Sequence, residues 1–183
     1  DDQVDLEIRV EEQMLGQLTA GVGFSSSEGL GFQVGLKQEN FLGTGNRFEF
    51  DINTSDVQTT YSASFFEPYY TLDGVSRGYN AYYRNRDYQA DDIANYNTNE
   101  LGGGINFGYP ISDTQRVSFG VGVDQTEVKL KENKGEGVIQ KFLGAGKISE
   151  TYLTYELSTG WSFNTLNSGL FPTRGASQNA TLN

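Results

Sequence analysis

The clearest structural signal in the chain is the alternation in the stretch Arg47-Phe48-Glu49-Phe50-Asp51-Ile52-Asn53. Successive side chains of a β-strand point to opposite faces of its sheet. Phe48, Phe50 and Ile52 therefore share one face, and the charged and amide side chains share the other. This alternation predicts a β-strand that has an apolar face and a strongly polar face.

The same period of two recurs along the chain. The predicted strands cover residues 16–25, 30–39, 46–55, 58–67, 77–88, 100–110, 116–130 and 151–163, and a ninth begins at 176. Most approach the ten or so residues that a tilted transmembrane strand needs. Residues 112–115 predict a tight turn, whereas residues 91–99 and 131–150 predict longer loops. Because no segment has a helical period, the pattern predicts an all-β, antiparallel fold.

The composition leaves two all-β classes open. Only 36% of the 183 residues are hydrophobic, and the chain contains 23 Gly, 12 Phe and 11 Tyr. Glycine and aromatic residues on alternating strands are typical of a transmembrane barrel, which carries aromatic girdles at both membrane interfaces. A glycine-rich soluble β-domain that binds a ligand is the alternative. No stretch reaches the roughly 18 apolar residues of a membrane helix.

The residue inventory argues against most enzymatic functions. The chain has no His and no Cys, which excludes Ser–His or Cys–His nucleophiles and His-containing metal sites. A catalytic pair among the 24 acidic residues stays open, but no spacing singles one out. The net charge of −11 argues against nucleic acid as a partner. We expect no catalytic residues, no metal and no cofactor.

Three irregular segments resemble periplasmic turns of the Omp85 family of outer-membrane proteins. They are Asn40-Phe41-Leu42-Gly43-Thr44-Gly45-Asn46, Glu67-Pro68-Tyr69-Tyr70-Thr71-Leu72-Asp73-Gly74-Val75-Ser76, and Gly160-Trp161-Ser162-Phe163-Asn164 running into Gly169-Leu170-Phe171-Pro172-Thr173-Arg174-Gly175. Their order and spacing are also similar to that family. The resemblance extends over essentially the whole chain.

This resemblance implies a domain organisation. Residues 1–14 look like the end of the periplasmic POTRA domain nearest the membrane, with an alternating strand at 4–11. Residues 15–183 look like the N-terminal half of an antiparallel, sixteen-stranded transmembrane barrel. Both ends of the chain look cut from something longer. The expected location is the bacterial outer membrane, with the N-terminal residues in the periplasm.

The resemblance also implies a function, which is the non-enzymatic assembly and insertion of β-barrel proteins into the outer membrane. The first barrel strand is the edge that the family uses at its lateral seam, and it would pair with client strands. The residues expected at this edge are Gly16, Gln17, Leu18, Thr19, Ala20, Gly21, Val22, Gly23 and Phe24. Its glycines either ease opening of the seam or only relieve curvature. The alternative function is a passive outer-membrane transporter or porin-like barrel.

Expected partners follow from this assignment. They are unfolded outer-membrane protein clients, outer-membrane lipid and, in the full-length protein, other subunits of the assembly complex. The side chains expected to face lipid are Phe32, Val34, Phe48, Phe50, Ile52, Phe107, Phe119, Val121, Leu153, Tyr155, Leu157 and Trp161. Eight strands either close into a small barrel or leave two open edges through which two copies associate, and we favour association.

Overall fold

Nine antiparallel strands follow one another in chain order and form one sheet in the computed structural model, which describes residues 16–88, 96–130 and 148–183. The strands are β1 (Gly16–Ser25), β2 (Gly29–Gln38), β3 (Arg47–Thr54), β4 (Gln58–Glu67), β5 (Ser76–Asp87), β6 (Tyr96–Ser112), β7 (Gln115–Leu130), β8 (Ser149–Asn164) and β9 (Ser177–Leu182). A short 3-10 turn, Phe41–Gly43, lies between β2 and β3. Every strand pairs with its chain neighbours, so the sheet is a meander with two open edges, β1 and β9.

Each observed strand overlaps a predicted one, but β6 begins earlier than its sequence suggests. Residues 96–99 were expected in a loop, and they are strand residues. Asn97 and Asn99 pair with Asp87 and Asn85 of β5, and the Tyr88 N–H donates to the Tyr96 carbonyl oxygen at 3.1 Å. Residues 96–99 carry hydrogen-bonding side chains on both faces of the strand. This hides the alternation in the sequence but does not prevent the strand from pairing. The predicted strand at 4–11 lies outside the described residues, as do residues 89–95 and 131–147.

The register gives the sheet two different faces. One continuous row of paired residues crosses six strands: Phe48, Phe65, Tyr79, Ile105, Val121 and Leu157. We call the side that carries this row the apolar face. The opposite side, the polar face, carries the row Asp51, Ser62, Tyr82, Gly102, Asp124 and Thr154. The alternation of the sequence is therefore a property of the whole sheet.

Almost no apolar side chain of the described strands and turns is buried within the protein. Among the described residues, Val57 is the only hydrophobic residue in the buried class, at 4% exposure. Many large side chains of the apolar face are exposed and others are half-buried. Some of them contact one another as cross-strand aromatic pairs, such as Phe65 with Tyr79, whose ring centroids lie 6.5 Å apart. No helix among the described residues is long and apolar enough to cross a membrane. The sheet thus lacks a core of its own, so its apolar face requires a cover from outside.

A glycine on the polar face allows two strands that are not neighbours to touch. Gly102 of β6 lies between Tyr82 of β5 and Asp124 of β7, and the Tyr82 hydroxyl donates a hydrogen bond to Asp124 Oδ1. A Cβ at Gly102 would lie 1.9 Å from Asp124 Oδ1 and 2.7 Å from the Tyr82 ring. Any side chain at this position would therefore displace the bridge.

The turn motifs are held by their own polar side chains. Asn40 Oδ1 accepts the Gly45 N–H at 2.6 Å, and the Thr44 hydroxyl donates to the Phe41 carbonyl oxygen at 2.6 Å. Gly45 has a φ of 75°, a conformation that favours glycine. This turn lies at the end of the sheet where β1 begins, which we call the near end. The connections β4–β5, β6–β7 and β8–β9 lie at the same end, and the opposite end is the far end.

Candidate functional site

The free edge of β1 is the most unusual surface of the sheet. Gly16–Ser25 pairs along its full length with Gly29–Gln38, and no other described strand pairs with it. All ten residues of β1 are exposed. An unpaired strand edge presents N–H and C=O groups that are ready to bond to another strand. All nine residues that the sequence predicted for this edge lie in β1.

Hydrogen bonds between other strands of the sheet show which backbone groups of β1 are free. The Asp87 N–H donates to the Val57 carbonyl oxygen at 2.8 Å, and the Ser55 N–H donates to the Gln58 carbonyl oxygen at 2.7 Å. Both backbone groups of a strand residue point to one neighbour, and those of the next residue point to the other neighbour. The odd-numbered residues of β4 therefore bond to β5, and the even-numbered residues bond to β3.

The same alternation passes through β3 and β2 to the edge. Even-numbered residues of β2 bond to β3, so its odd-numbered residues bond to the odd-numbered residues of β1. The residues whose N–H and C=O groups point away from the sheet are Gly16, Leu18, Ala20, Val22 and Phe24. Only these alternate residues of the predicted edge can pair with an added strand. Their side chains lie on the apolar face.

Two of the three glycines of the edge, Gly21 and Gly23, are not required by close packing, whereas a Cβ at Gly16 would lie 2.5 Å from Gln38 Oε1. A Cβ added at Gly21 or Gly23 meets no other atom within 4 Å, and both residues lie on the polar face. These positions differ from Gly102, where a side chain has no room. Gly21 and Gly23 therefore reduce the side-chain contacts of β1 and leave its backbone accessible, which is consistent with an edge that opens.

The side chains predicted to face lipid all lie on the apolar face. Val34 pairs with Ile52, Phe107 with Phe119, and Val121 with Leu157, while the others occupy the same phase on their strands. Several remain largely uncovered, including Leu153, Tyr155 and Leu157 at 54%, 77% and 62% exposure. The sequence-based set omitted members of the same face on other strands, such as Tyr61, Tyr83 and Leu101. In the sequence, the alternation of these residues with polar neighbours is the signal that assigns them to the apolar face.

Charged side chains gather on the polar face near the edge. Lys37 Nζ lies 2.9 Å from Glu39 Oε1 and 3.5 Å from Glu49 Oε1, and Arg47 Nε lies 2.7 Å from Glu39 Oε2. Hydrogen bonds from Lys37 and Arg47 hold the pKa of the Glu39 carboxyl below its usual value. Glu39 follows the last residue of β2, so these ion pairs tie the near-end turn to β2 and β3.

The groups that this site offers are backbone hydrogen-bonding groups and paired charges. Within the part of the chain that the structure describes, no group of three or more His, Cys, Asp or Glu could hold a metal ion. Arg84 and Glu100 form a further ion pair on the polar face at 3.1 Å. Several charged residues of the polar face thus bond to one another, whereas the outward-pointing backbone groups of alternate β1 residues have no strand partner among the described residues.

Comparison with known proteins shows matches of family, sequence and structure. The model of the Omp85 superfamily domain matches residues 40–183. The outer membrane protein assembly factor BamA of Neisseria meningitidis serogroup B is 31% identical over 181 residues, which is 95% of this chain and 23% of that protein. BamA of Buchnera aphidicola is 29% identical over 150 residues, which is 82% of this chain and 24% of that protein. The chain thus spans less than a quarter of the length of these relatives.

A solved structure shows the same fold. The crystal structure of BamA from Haemophilus ducreyi lacking POTRA domains 1–3 aligns with a TM-score of 0.67 and 28% sequence identity, covering 93% of this chain and 34% of that chain. Together with the nine-stranded sheet, this match confirms the predicted all-β, antiparallel barrel fold. The relatives also confirm the predicted outer-membrane location.

Proposed function

Because this chain belongs to the Omp85 superfamily, we propose that it forms part of the wall of an assembly factor that inserts β-barrel proteins into the bacterial outer membrane. The relatives named above are outer membrane protein assembly factors by name, and the chain corresponds to only part of their length. The proposed activity is not enzymatic. It consists of offering a strand edge to an unfolded client.

The observation that carries this proposal is the unpaired edge of β1. Lipid offers no hydrogen bonds, so each unsatisfied backbone group in the hydrocarbon region costs several kcal/mol. The N–H and C=O groups of Leu18, Ala20 and Val22 have no strand partner among the described residues. A client strand that adds to β1 satisfies its own backbone groups and those of the edge together, which is β-augmentation.

We assign the near end of the sheet to the periplasm. Residues 1–14 then belong to the POTRA domain nearest the membrane, and residues 15–183 to the N-terminal half of the barrel. The support is that β1 starts at the near end immediately after this segment, and that the three turn motifs lie at the same end. Clients arriving from the periplasm then meet the first residues of β1 first.

We also assign the apolar face to lipid and the polar face to the interior of the barrel. The support is the absence of any protein cover over the apolar face in the described residues and the ring contacts along it. Transmembrane barrels alternate apolar residues outward with polar residues inward. Outer-membrane lipid is therefore the partner of the whole apolar face. Other subunits of the assembly complex are expected to bind the full-length protein.

A reconstitution experiment separates this function from that of a passive transporter or porin-like barrel. The full-length protein is placed in lipid vesicles, and two quantities are measured: folding of an added client barrel, and leakage of a small trapped solute. We expect client folding to accelerate over empty vesicles without a matching rise in leakage. Solute flux without accelerated client folding would instead assign the protein to the porin-like class.

A further inference from the structure

An ion pair interrupts the apolar face at the near end of β4 and β5, and Glu127 and Lys129 form another at the far end of β7. Glu67 is the last residue of β4, and it pairs directly with Arg77 of β5. Glu67 has the same phase as Phe65, and Arg77 has the same phase as Tyr79, so both charged side chains lie on the apolar face. On its other side, Arg77 pairs with Phe107 of β6. Charges on this face need an explanation that charges on the polar face do not.

The pair is held by aromatic side chains. Arg77 Nε donates to Glu67 Oε2 at 2.6 Å, and the Arg77 Cζ lies 3.7 Å from the centroid of the Tyr70 ring. The Tyr79 ring lies on another side, 5.2 Å from the same carbon. The Arg77 and Glu67 side chains are 23% and 19% exposed. Cation–π contacts of this kind fix the guanidinium plane in place.

Both charged groups keep unused hydrogen-bonding capacity. Arg77 donates to Glu67 only through its Nε, and Glu67 accepts this hydrogen bond only through its Oε2. Within the described residues, the two Nη nitrogens of Arg77 and the Oε1 of Glu67 have no hydrogen-bond partner. The Nη pair forms a fork that matches two oxygens of a phosphate. The free carboxylate oxygen next to it accepts a hydrogen bond from an ammonium group.

We propose that Glu67 and Arg77 bind the headgroup of an ethanolamine phospholipid. The phosphate would lie against the Nη fork of Arg77, and the primary ammonium would donate to Glu67 Oε1. The position supports a lipid as the occupant, because the pair lies at the ends of β4 and β5, next to the turn at 68–75, which exposes Tyr69 and Tyr70, and tyrosines concentrate at the membrane–water interface. Headgroups occupy this level of a membrane. The inference rests on the assignment of the apolar face to lipid, and not on the assembly function.

The test measures lipid retention by the full-length protein in detergent, using native mass spectrometry. The protein is offered phosphatidylethanolamine, phosphatidylcholine and phosphatidylglycerol of equal chain length in separate samples. Phosphatidylcholine has the same phosphate but no N–H donor, and phosphatidylglycerol has no ammonium. We expect phosphatidylethanolamine to be retained about tenfold more strongly than either, as one charge-assisted hydrogen bond to a carboxylate implies.

The chain provides matched variants. E67Q should remove the preference over phosphatidylcholine, and R77Q should weaken retention of all three lipids. R77K keeps the charge without the fork and should weaken retention less than R77Q, which keeps the test valid if R77Q does not fold. R84Q and E100Q alter the ion pair on the polar face and should leave retention unchanged. Folding of every variant is verified by its heat-dependent gel mobility.

Three results would overturn the proposal. The first is equal retention of the three lipids by the unaltered protein. The second is a preference that survives both E67Q and R77Q. The third is a loss of lipid retention in R84Q and E100Q as large as that in R77Q and E67Q, because Arg84 and Glu100 lie on the polar face. Each of these results leaves the client-folding activity untested, so failure here is distinguishable from failure of the proposed function.

Discussion

Replacing Val22 with proline should block client pairing while it leaves the wall of the barrel intact. The N–H of Val22 points to the free edge of β1, whereas the N–H of Thr19 points to β2, opposite Gly35. Proline has no N–H to donate, and edge strands accept it when that N–H faces outward. Val22→Pro therefore removes a donor for the client, and Thr19→Pro removes a donor for β2.

The expected loss of client pairing in Val22→Pro follows from the free energy of one hydrogen bond in an apolar environment. Losing one donor leaves one carbonyl oxygen of the client without a partner, which costs about 2 kcal/mol and lowers pairing roughly thirtyfold. Thr19→Pro leaves the carbonyl oxygen of Gly35 unpaired instead, and it destabilises the β1–β2 pair by a similar amount. The two variants should thus differ in which property they damage.

The assay compares client folding in vesicles with thermal unfolding of each variant. Val22→Pro should slow client folding with nearly unchanged thermal unfolding, and Thr19→Pro should lower the unfolding temperature. Val22→Ala, which keeps the N–H, controls for loss of the side chain. Normal client folding by Val22→Pro would refute the pairing role. Equal thermal destabilisation by Val22→Pro and Thr19→Pro would show that the assignment of free backbone groups is wrong.

Three further predictions concern the wall itself. Gly102→Ala should cost about 1–3 kcal/mol of unfolding free energy, because the added Cβ displaces the Tyr82–Asp124 bridge, whereas Gly21→Ala meets no atom and should cost nothing measurable. The pKa of the Glu39 carboxyl is lowered in the folded protein. The ionised Glu39 side chain therefore stabilises the fold fully above the ordinary carboxyl pKa, and this stabilisation is lost as the pH falls through the lowered pKa. The difference in unfolding temperature between the unaltered protein and Glu39→Gln should therefore vanish in strong acid. Light scattering of this chain alone in detergent should give two copies per particle, joined through open edges, and one copy would contradict edge pairing.

The positions of the strands were predictable from the sequence because side-chain alternation survives wherever one face is apolar. In Arg47–Thr54 the apolar residues Phe48, Phe50 and Ile52 alternate with polar ones, and the strand appears where expected. The start of β6 was missed for the same physical reason. Residues 96–99 carry polar side chains on both faces, so no alternation marks the strand there.

The details of the candidate site depend on pairing between strands, which a period of two does not contain. The alternation places Val22 on a face, but only the hydrogen bonds of distant hairpins show that its N–H points outward. Glu67 and Arg77 are ten residues apart in the sequence, and the register of one hairpin places them side by side. Gly102 similarly requires knowledge of both neighbouring strands.

Disulfide trapping of a client on β1 tests the central claim most directly. Single cysteines are placed at Leu18, Ala20 or Val22 of the full-length protein, and single cysteines are scanned along the terminal strand of a client. Directly paired residues of adjacent strands lie at a separation that a disulfide can bridge. We predict that each β1 cysteine captures one client position, and that moving the β1 cysteine by two residues moves the captured position by two. Capture without such a register, or equal capture by a cysteine at Ala81 in the interior strand β5, would contradict the pairing of clients with the free edge.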